Sequence, residues 1–143
     1  MAKFDDSLVA VTSRSFSTNQ FLVKKLKESY PNVSLNLTGK TLKENELVKF
    51  LANADKAIVG IEIIDKDILD QLPKLKLISK YGVGLNNLDL GECKKRNIQI
   101  KFQPGSNKQS VAEFTLLLML NSLRQVHNNK TEIIEGNWTQ AKG

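Results

Sequence analysis

The stretch Leu75-Lys-Leu-Ile-Ser-Lys-Tyr-Gly-Val-Gly-Leu-Asn-Asn-Leu-Asp89 decides how the rest of the chain is read. Leu75, Leu77 and Ile78 form a short apolar run of the kind a buried parallel strand shows. The run ends in Gly82-Val83-Gly84, and Asp89 stands where a carboxylate caps a helix starting at Leu90. A strand that feeds a glycine loop and opens a helix is a place where an α/β sheet holds an anion. The absent side chains let a ligand approach, and the main-chain N–H groups point at it. On the residues alone, two readings stay open: an anion cradle, or no more than a tight strand-to-helix turn.

Outward from this stretch, strands are predicted at residues 8–12, 33–37, 57–59, 75–79 and 98–102. Residues 13–18 read as a polar turn. Asn19 starts a helix expected to bury Phe21, Leu22, the stem of Lys25, Leu26 and Tyr30 before Pro31 stops it. Thr41 is expected to cap a helix over residues 42–53, with Leu47, Val48, Phe50 and Leu51 inward. A short helix over residues 65–72 stops at Pro73, and another over residues 90–96 ends at Asn97 as a left-handed cap. Five alternations of strand and helix predict an α/β fold, a doubly wound parallel sheet with helices on both faces.

The pattern then breaks. Residues 108–125 read as one long helix containing Phe114-Thr-Leu-Leu-Leu-Met-Leu120, apolar at nearly every position. At about 1.5 Å per residue it spans about 27 Å. A helix apolar all round is normally surrounded by protein, so its uncovered sides are expected to meet a second copy, a second domain or another chain. The uncharged run is too short for a membrane span, and helix-like sequence resumes over residues 129–135.

The totals bound the partners. The 143 residues, 41% hydrophobic and 25% charged, suit one soluble domain with a real core. The net charge of +6 is spread over several helices rather than clustered, which argues against a nucleic-acid stripe. One cysteine, Cys93, excludes an intrachain disulfide and suits a reducing compartment, the cytoplasm. Met1-Ala-Lys-Phe-Asp-Asp6 does not read as a signal peptide. No metal-ligand spacing occurs.

Residues 75–89, then Gln103-Pro-Gly-Ser-Asn-Lys-Gln-Ser-Val-Ala-Glu113 and Gly136-Asn-Trp138, resemble the NAD-dependent D-2-hydroxyacid dehydrogenases, the group that includes phosphoglycerate dehydrogenase. The resemblance implies a flavodoxin-like substrate-binding domain over residues 1–106. It also implies a domain-linking and dimerising helix and tail over residues 107–143. By position, the N–H groups of Val83 and Gly84 would hold the substrate carboxylate, with Gly82 shaping the loop and Lys80 and Tyr81 adding charge and shape. Asn107 would line the cleft, and Ser110 and Val111 would lie near the nicotinamide. Asn86 stands where the family usually has Asp. Ile61 and Glu62 stand where phosphoglycerate-specific members carry an arginine, so a phosphorylated substrate is not implied.

The family's dinucleotide domain is expected to be absent. The glycines fall at 39, 60, 82, 84, 91, 105, 136 and 143 and give no G-x-G-x-x-G. The family's catalytic arginine, glutamate and histidine come from that domain, so no catalytic residue is assigned here. NAD is implied by the family but not expected to bind this chain alone. The expected partners are a small 2-hydroxy or 2-oxo acid and either a second copy or the missing domain at residues 111–123. In the complete enzyme, hydride would pass between the substrate's C2 and nicotinamide.

Other residues have plainer readings. His127 is expected at the polar end of the long helix as a surface or capping side chain, Cys93 as a packing residue, and Trp138 as an anchor for the tail. Glu113 suits the start of its helix by the dipole alone, and a functional role for it is equally open. The competing functions are a non-catalytic dimerising or small-acid-binding module that kept the fold, and a phosphorylation-controlled receiver domain. A receiver needs clustered acids after the first strand; here Ser13-Arg14 follows it.

Overall fold

The computed structural model describes residues 5–138. The chain divides into two compact units, Met1–Pro104 and Gly105–Gly143. The first holds β1 (Val9–Val11), α1 (Arg14–Ser17), α2 (Gln20–Ser29), β2 (Val33–Leu35), α3 (Glu44–Leu51), β3 (Lys56–Val59), α4 (Lys66–Asp70), β4 (Leu77–Lys80), α5 (Leu90–Lys95) and β5 (Gln99–Lys101). The second holds α6 (Lys108–Leu123) and α7 (Val126–Ile134).

The five strands form one all-parallel sheet in the order β2-β1-β3-β4-β5, which is the flavodoxin arrangement. Direction reverses at β1. Right-handed crossovers therefore place α2 on one face and α3, α4 and α5 on the other, and α3 packs on α4 and α4 on α5. The core lies on the second face. Ala10, Ala57, Val59 and Ile78 meet Leu47, Leu51, Ile68, Leu69 and Cys93 there.

Local chemistry sets the boundaries. The side chains of Asn19, Asp65 and Asp89 accept from the N–H groups of Leu22, Ile68 and Glu92 at 3.1, 3.0 and 2.9 Å; Asp89 is the expected cap, and Asn19 and Asp65, expected as the first residues of their helices, cap them as well. Asn97 adopts φ +56°, the left-handed end anticipated for α5.

Four local expectations are corrected. Residues 14–17 form a short helix within the stretch read as a polar turn, because Ser13 caps it and the Thr18 hydroxyl donates back to the Arg14 carbonyl at 3.1 Å. In α2, Phe21 is 67% exposed and Lys25 is exposed, while Leu22, Val23 and Leu26 are half-buried. The helical period was legible; its phase against the sheet was not. The third helix starts at Glu44 with Lys43 as N-cap and no side-chain bond, rather than at a Thr41 cap. Leu42 is buried in the core ahead of it, and Glu44 takes φ +44° as the chain reverses. The long helix ends at Leu123, since Gln125 adopts φ +49° and starts α7, which carries His127.

Within the second unit, Leu116, Leu117, Leu118, Met119 and Leu120 are each 51–60% exposed. Five consecutive residues sweep more than a full turn, so over residues 116–120 the helix carries apolar side chains all round. Among the described residues no helix is long and apolar enough to cross a membrane. Trp138 does not anchor its surroundings; it is 88% exposed.

Candidate functional site

The site grows from the carboxyl end of β4. The Tyr81 N–H extends the ladder to the Val59 carbonyl at 2.8 Å. Gly82 then takes φ +144°, which side chains other than hydrogen rarely allow. Beyond it, the N–H groups of Gly82, Val83 and Gly84 donate to no acceptor among the described residues. The far end of the loop is pinned again: Ile64 donates to the Asn87 carbonyl at 2.8 Å, and Asp89 donates to the Ile64 carbonyl at 2.9 Å. A loop held at both ends with open amides at its apex can accept a carboxylate.

Lys80 supplies charge. Its Nζ donates to the Gly60 carbonyl and lies 4.0 Å from where a Cβ on Gly82 would sit. Burial pushes its pKa below the usual lysine value, opposed by the attraction of the Glu62 carboxylate. The ammonium thus sits next to Gly82, at the start of the loop.

A buried polar network carries this arrangement. Glu62, 2% exposed, accepts at Oε2 from the Thr12 hydroxyl at 2.8 Å and the Gly60 N–H at 2.9 Å. The Asn87 side chain donates to the Gly60 carbonyl at 3.3 Å and to the Glu62 carbonyl. Asn36 donates to the Thr12 carbonyl at 2.9 Å. The carboxyl ends of β2, β1, β3 and β4 are therefore joined by hydrogen bonds. A side chain at Gly60 would crowd its neighbours, since a Cβ there would lie 3.2 Å from Ser13 Cβ and 3.3 Å from Glu62 Oε2. Beside the loop, the Tyr81 ring meets Phe16 edge-on at 5.4 Å, and Tyr81 walls a crevice of about 430 Å³.

Lys80, Tyr81, Gly82, Val83 and Gly84 thus come together in the first unit. Asn107, Ser110 and Val111 come together in the second. Asn107 precedes α6 without a side-chain cap bond, and its carbonyl accepts from the Val111 N–H at 3.0 Å. Among the described residues no group of three or more His, Cys, Asp or Glu could hold a metal ion. Cys93 is buried, and that burial pushes its thiol pKa up. The chemistry available at the loop is anion binding by amides and an ammonium.

Sequence reasoning missed Thr12 and Asn87 and took Glu62 only as a substitution. A signal for Glu62 was present: one acid inside Val59-Gly-Ile-Glu-Ile-Ile64 is a carboxylate in a buried setting.

The model of the D-isomer specific 2-hydroxyacid dehydrogenase catalytic domain matches residues 9–140. The chain belongs to this family. It is 31% identical over 105 residues to a hydroxypyruvate reductase of Thermotoga maritima, covering 73% of this chain and 34% of that protein. To a glyoxylate reductase of Thermofilum pendens it is 39% identical over 94 residues, covering 65% and 28%. Among solved structures, the NAD+-bound 3-phosphoglycerate dehydrogenase of Entamoeba histolytica superposes with a TM-score of 0.72 at 22% identity, covering 97% of this chain and 43% of that one. The chain therefore spans about a third of the length of these curated relatives.

Proposed function

We propose that this chain is the substrate-binding portion of an NAD-dependent D-2-hydroxyacid dehydrogenase, incomplete for catalysis on its own. The carboxylate of a small 2-hydroxy or 2-oxo acid sits on the N–H groups of Val83 and Gly84, with the Lys80 ammonium balancing its charge and Tyr81 shaping the wall. The observation that carries this reading is the set of main-chain N–H groups left without an acceptor beside a half-buried ammonium. Asn107 contributes to the cleft of the assembled enzyme, and Ser110 and Val111 border the nicotinamide. Residues 1–106 act as the substrate domain and 107–143 as the linking and dimerising segment. The exposed apolar side chains of residues 116–120 in α6 support that role, because an apolar surface of that kind is favoured against protein.

The residues present do not fit the cofactor itself. The glycine positions form no dinucleotide fingerprint, and Gly82-x-Gly84 runs on to Asn87 where a third glycine would be required. The chain binds and orients the acid; the hydride carrier and the acid–base groups belong to the complementary half.

The test is a titration of the isolated chain with glycolate, followed at the backbone amides by NMR. Saturable shifts at Val83 and Gly84 with millimolar affinity are expected, together with no micromolar heat of binding from NADH. Glycolate that leaves both amides unmoved refutes the proposal.

A further inference from the structure

Among the described residues Glu62 is the one charged side chain that is buried. It makes no ion pair there. A carboxylate so placed is costly unless hydrogen bonds and a nearby charge compensate it. The bonds come at Oε2, from the Thr12 hydroxyl at 2.8 Å and the Gly60 N–H at 2.9 Å. The charge is the Lys80 ammonium, whose attraction to Glu62 works against the burial that lowers the lysine's pKa. Glu62 lines two crevices, one with Arg14 and the other with Lys43, Glu44 and Asp65. Among the described residues the Lys80 ammonium responds to none of those four charges, only to Glu62.

The two side chains meet at Gly60, the residue after β3. Glu62 holds its N–H, and Lys80 Nζ donates to its carbonyl, which also accepts from the Asn87 side chain at 3.3 Å. Lys80 pairs with Val59 in the ladder, so its ammonium bonds the first carbonyl beyond its own partner. An ammonium carries three N–H donors, and Lys80 Nζ makes no other bond among the described residues. Its remaining donors are left for a ligand, on a nitrogen 4.0 Å from where a Cβ on Gly82 would sit. Holding the Gly60 carbonyl in place therefore holds the ammonium at the entrance of the loop.

We infer that Glu62 is the positioning residue for the Lys80 ammonium, acting through the Gly60 main chain that both side chains hold. The inference rests on the reading of Val83 and Gly84 as the carboxylate cradle with Lys80 as its counter-charge, and it adds how that charge is held. Glu62 has two separable duties. Its acceptor oxygen sets where Gly60 lies, and its negative charge sets how far up the pH scale Lys80 keeps its proton. Thr12 shares the first duty, as a donor to the same oxygen, and has no part in the second.

The experiment follows the full 143-residue chain by carbon-detected NMR, which stays visible at high pH. It reads the Lys80 Cε, identified by its absence in Lys80→Met, and glycolate binding at the Val83 and Gly84 carbons. Glu62→Gln keeps an acceptor oxygen and loses the charge. Its Lys80 midpoint is expected to fall by about one pH unit, and the loss of glycolate affinity should move to lower pH by the same amount. Thr12→Val breaks a bond to the same oxygen and keeps the charge, so both midpoints should stay at their wild-type values. A merely structural Glu62 would weaken the fold in both variants and move neither midpoint. Circular dichroism verifies folding. Should Glu62→Gln not fold, the wild-type Glu62 carboxyl carbon decides, because it must shift with the same midpoint as Lys80. An unmoved midpoint in Glu62→Gln, an equal shift in Thr12→Val, or a Glu62 carbon blind to Lys80 overturns the inference while leaving the cradle in place. If glycolate leaves Val83 and Gly84 unmoved in the wild type, the cradle itself fails and the positioning role falls with it.

Discussion

Replacing Glu62 with leucine tests whether the buried network holds the site together. Glu62 Oε2 takes the Thr12 hydroxyl at 2.8 Å and the Gly60 N–H at 2.9 Å. In Glu62→Leu, Thr12 has a second acceptor, the Ile58 carbonyl at 3.3 Å, but the Gly60 N–H has none. An orphaned buried donor costs about 1–3 kcal/mol, and a bond to a charged acceptor contributes about 1.5–3 kcal/mol. Relief from burying a carboxylate opposes these terms, leaving an expected net loss of about 2 kcal/mol. With a urea dependence of about 2 kcal/mol per molar, the midpoint falls by about 1 M. Glu62→Gln keeps an acceptor oxygen and should lose about half as much. Trp138 lies in the second unit, so the unfolding of the first is followed at the amides of Ala57 and Ile78 in the sheet. Combined with Thr12→Val, the leucine variant should be less than additive, because both changes break one contact. A Glu62→Leu chain as stable as wild type, or Glu62→Gln costing more than Glu62→Leu, refutes the reasoning.

Three further outcomes are expected. Gly82→Ala forces a side chain into φ +144°, at a cost of about 1–2 kcal/mol in thermal unfolding, and abolishes the glycolate shifts at Val83 and Gly84. Burial holds the Lys80 pKa below 10.5, so glycolate affinity should fall as pH rises through that lowered value. Folding stability should rise with pH between it and 10.5, because the unfolded lysine still holds its proton there. Lys80→Met flattens both profiles, measured by titration and urea unfolding across that window. The wild-type chain should sediment as a self-associated species through α6, and Leu117→Lys, at a position 59% exposed, should shift it toward monomer.

What was legible in the sequence was local. The caps of Asn19, Asp65 and Asp89 act over three residues, and the left-handed Asn97 sits at a helix end, so each is written next to the element it bounds. The strands were legible as apolar runs, and their alternation with helices required parallel pairing. The candidate site was legible along the contiguous run from Lys80 to Gly84, and at Gly82 residue type and backbone geometry coincide. Thr12 and Glu62 are 50 positions apart, and nothing in either neighbourhood names the other. The inward stripe of α2 failed for a related reason: periodicity tells that a helix has an apolar side, while the packing partner decides which of Phe21 and Leu22 it is.

The open amides and the buried network are two views of one event at the end of β3. Parallel pairing carries β3 and β4 together as far as the Val59–Lys80 register and the Tyr81 bond to Val59. There β3 turns away: the Gly60 N–H goes to Glu62, and the Gly60 carbonyl is taken by Lys80 and Asn87. In the register of the ladder the next acceptor for the Val83 N–H would be the Ile61 carbonyl, and among the described residues no backbone bond joins them. The N–H groups of Gly82, Val83 and Gly84 are left without an acceptor where the two strands part. In the proposed reading a carboxylate outside the chain is the acceptor that completes them, and Glu62 and Asn87, which hold Gly60 without touching that ligand, keep the end of β3 in place.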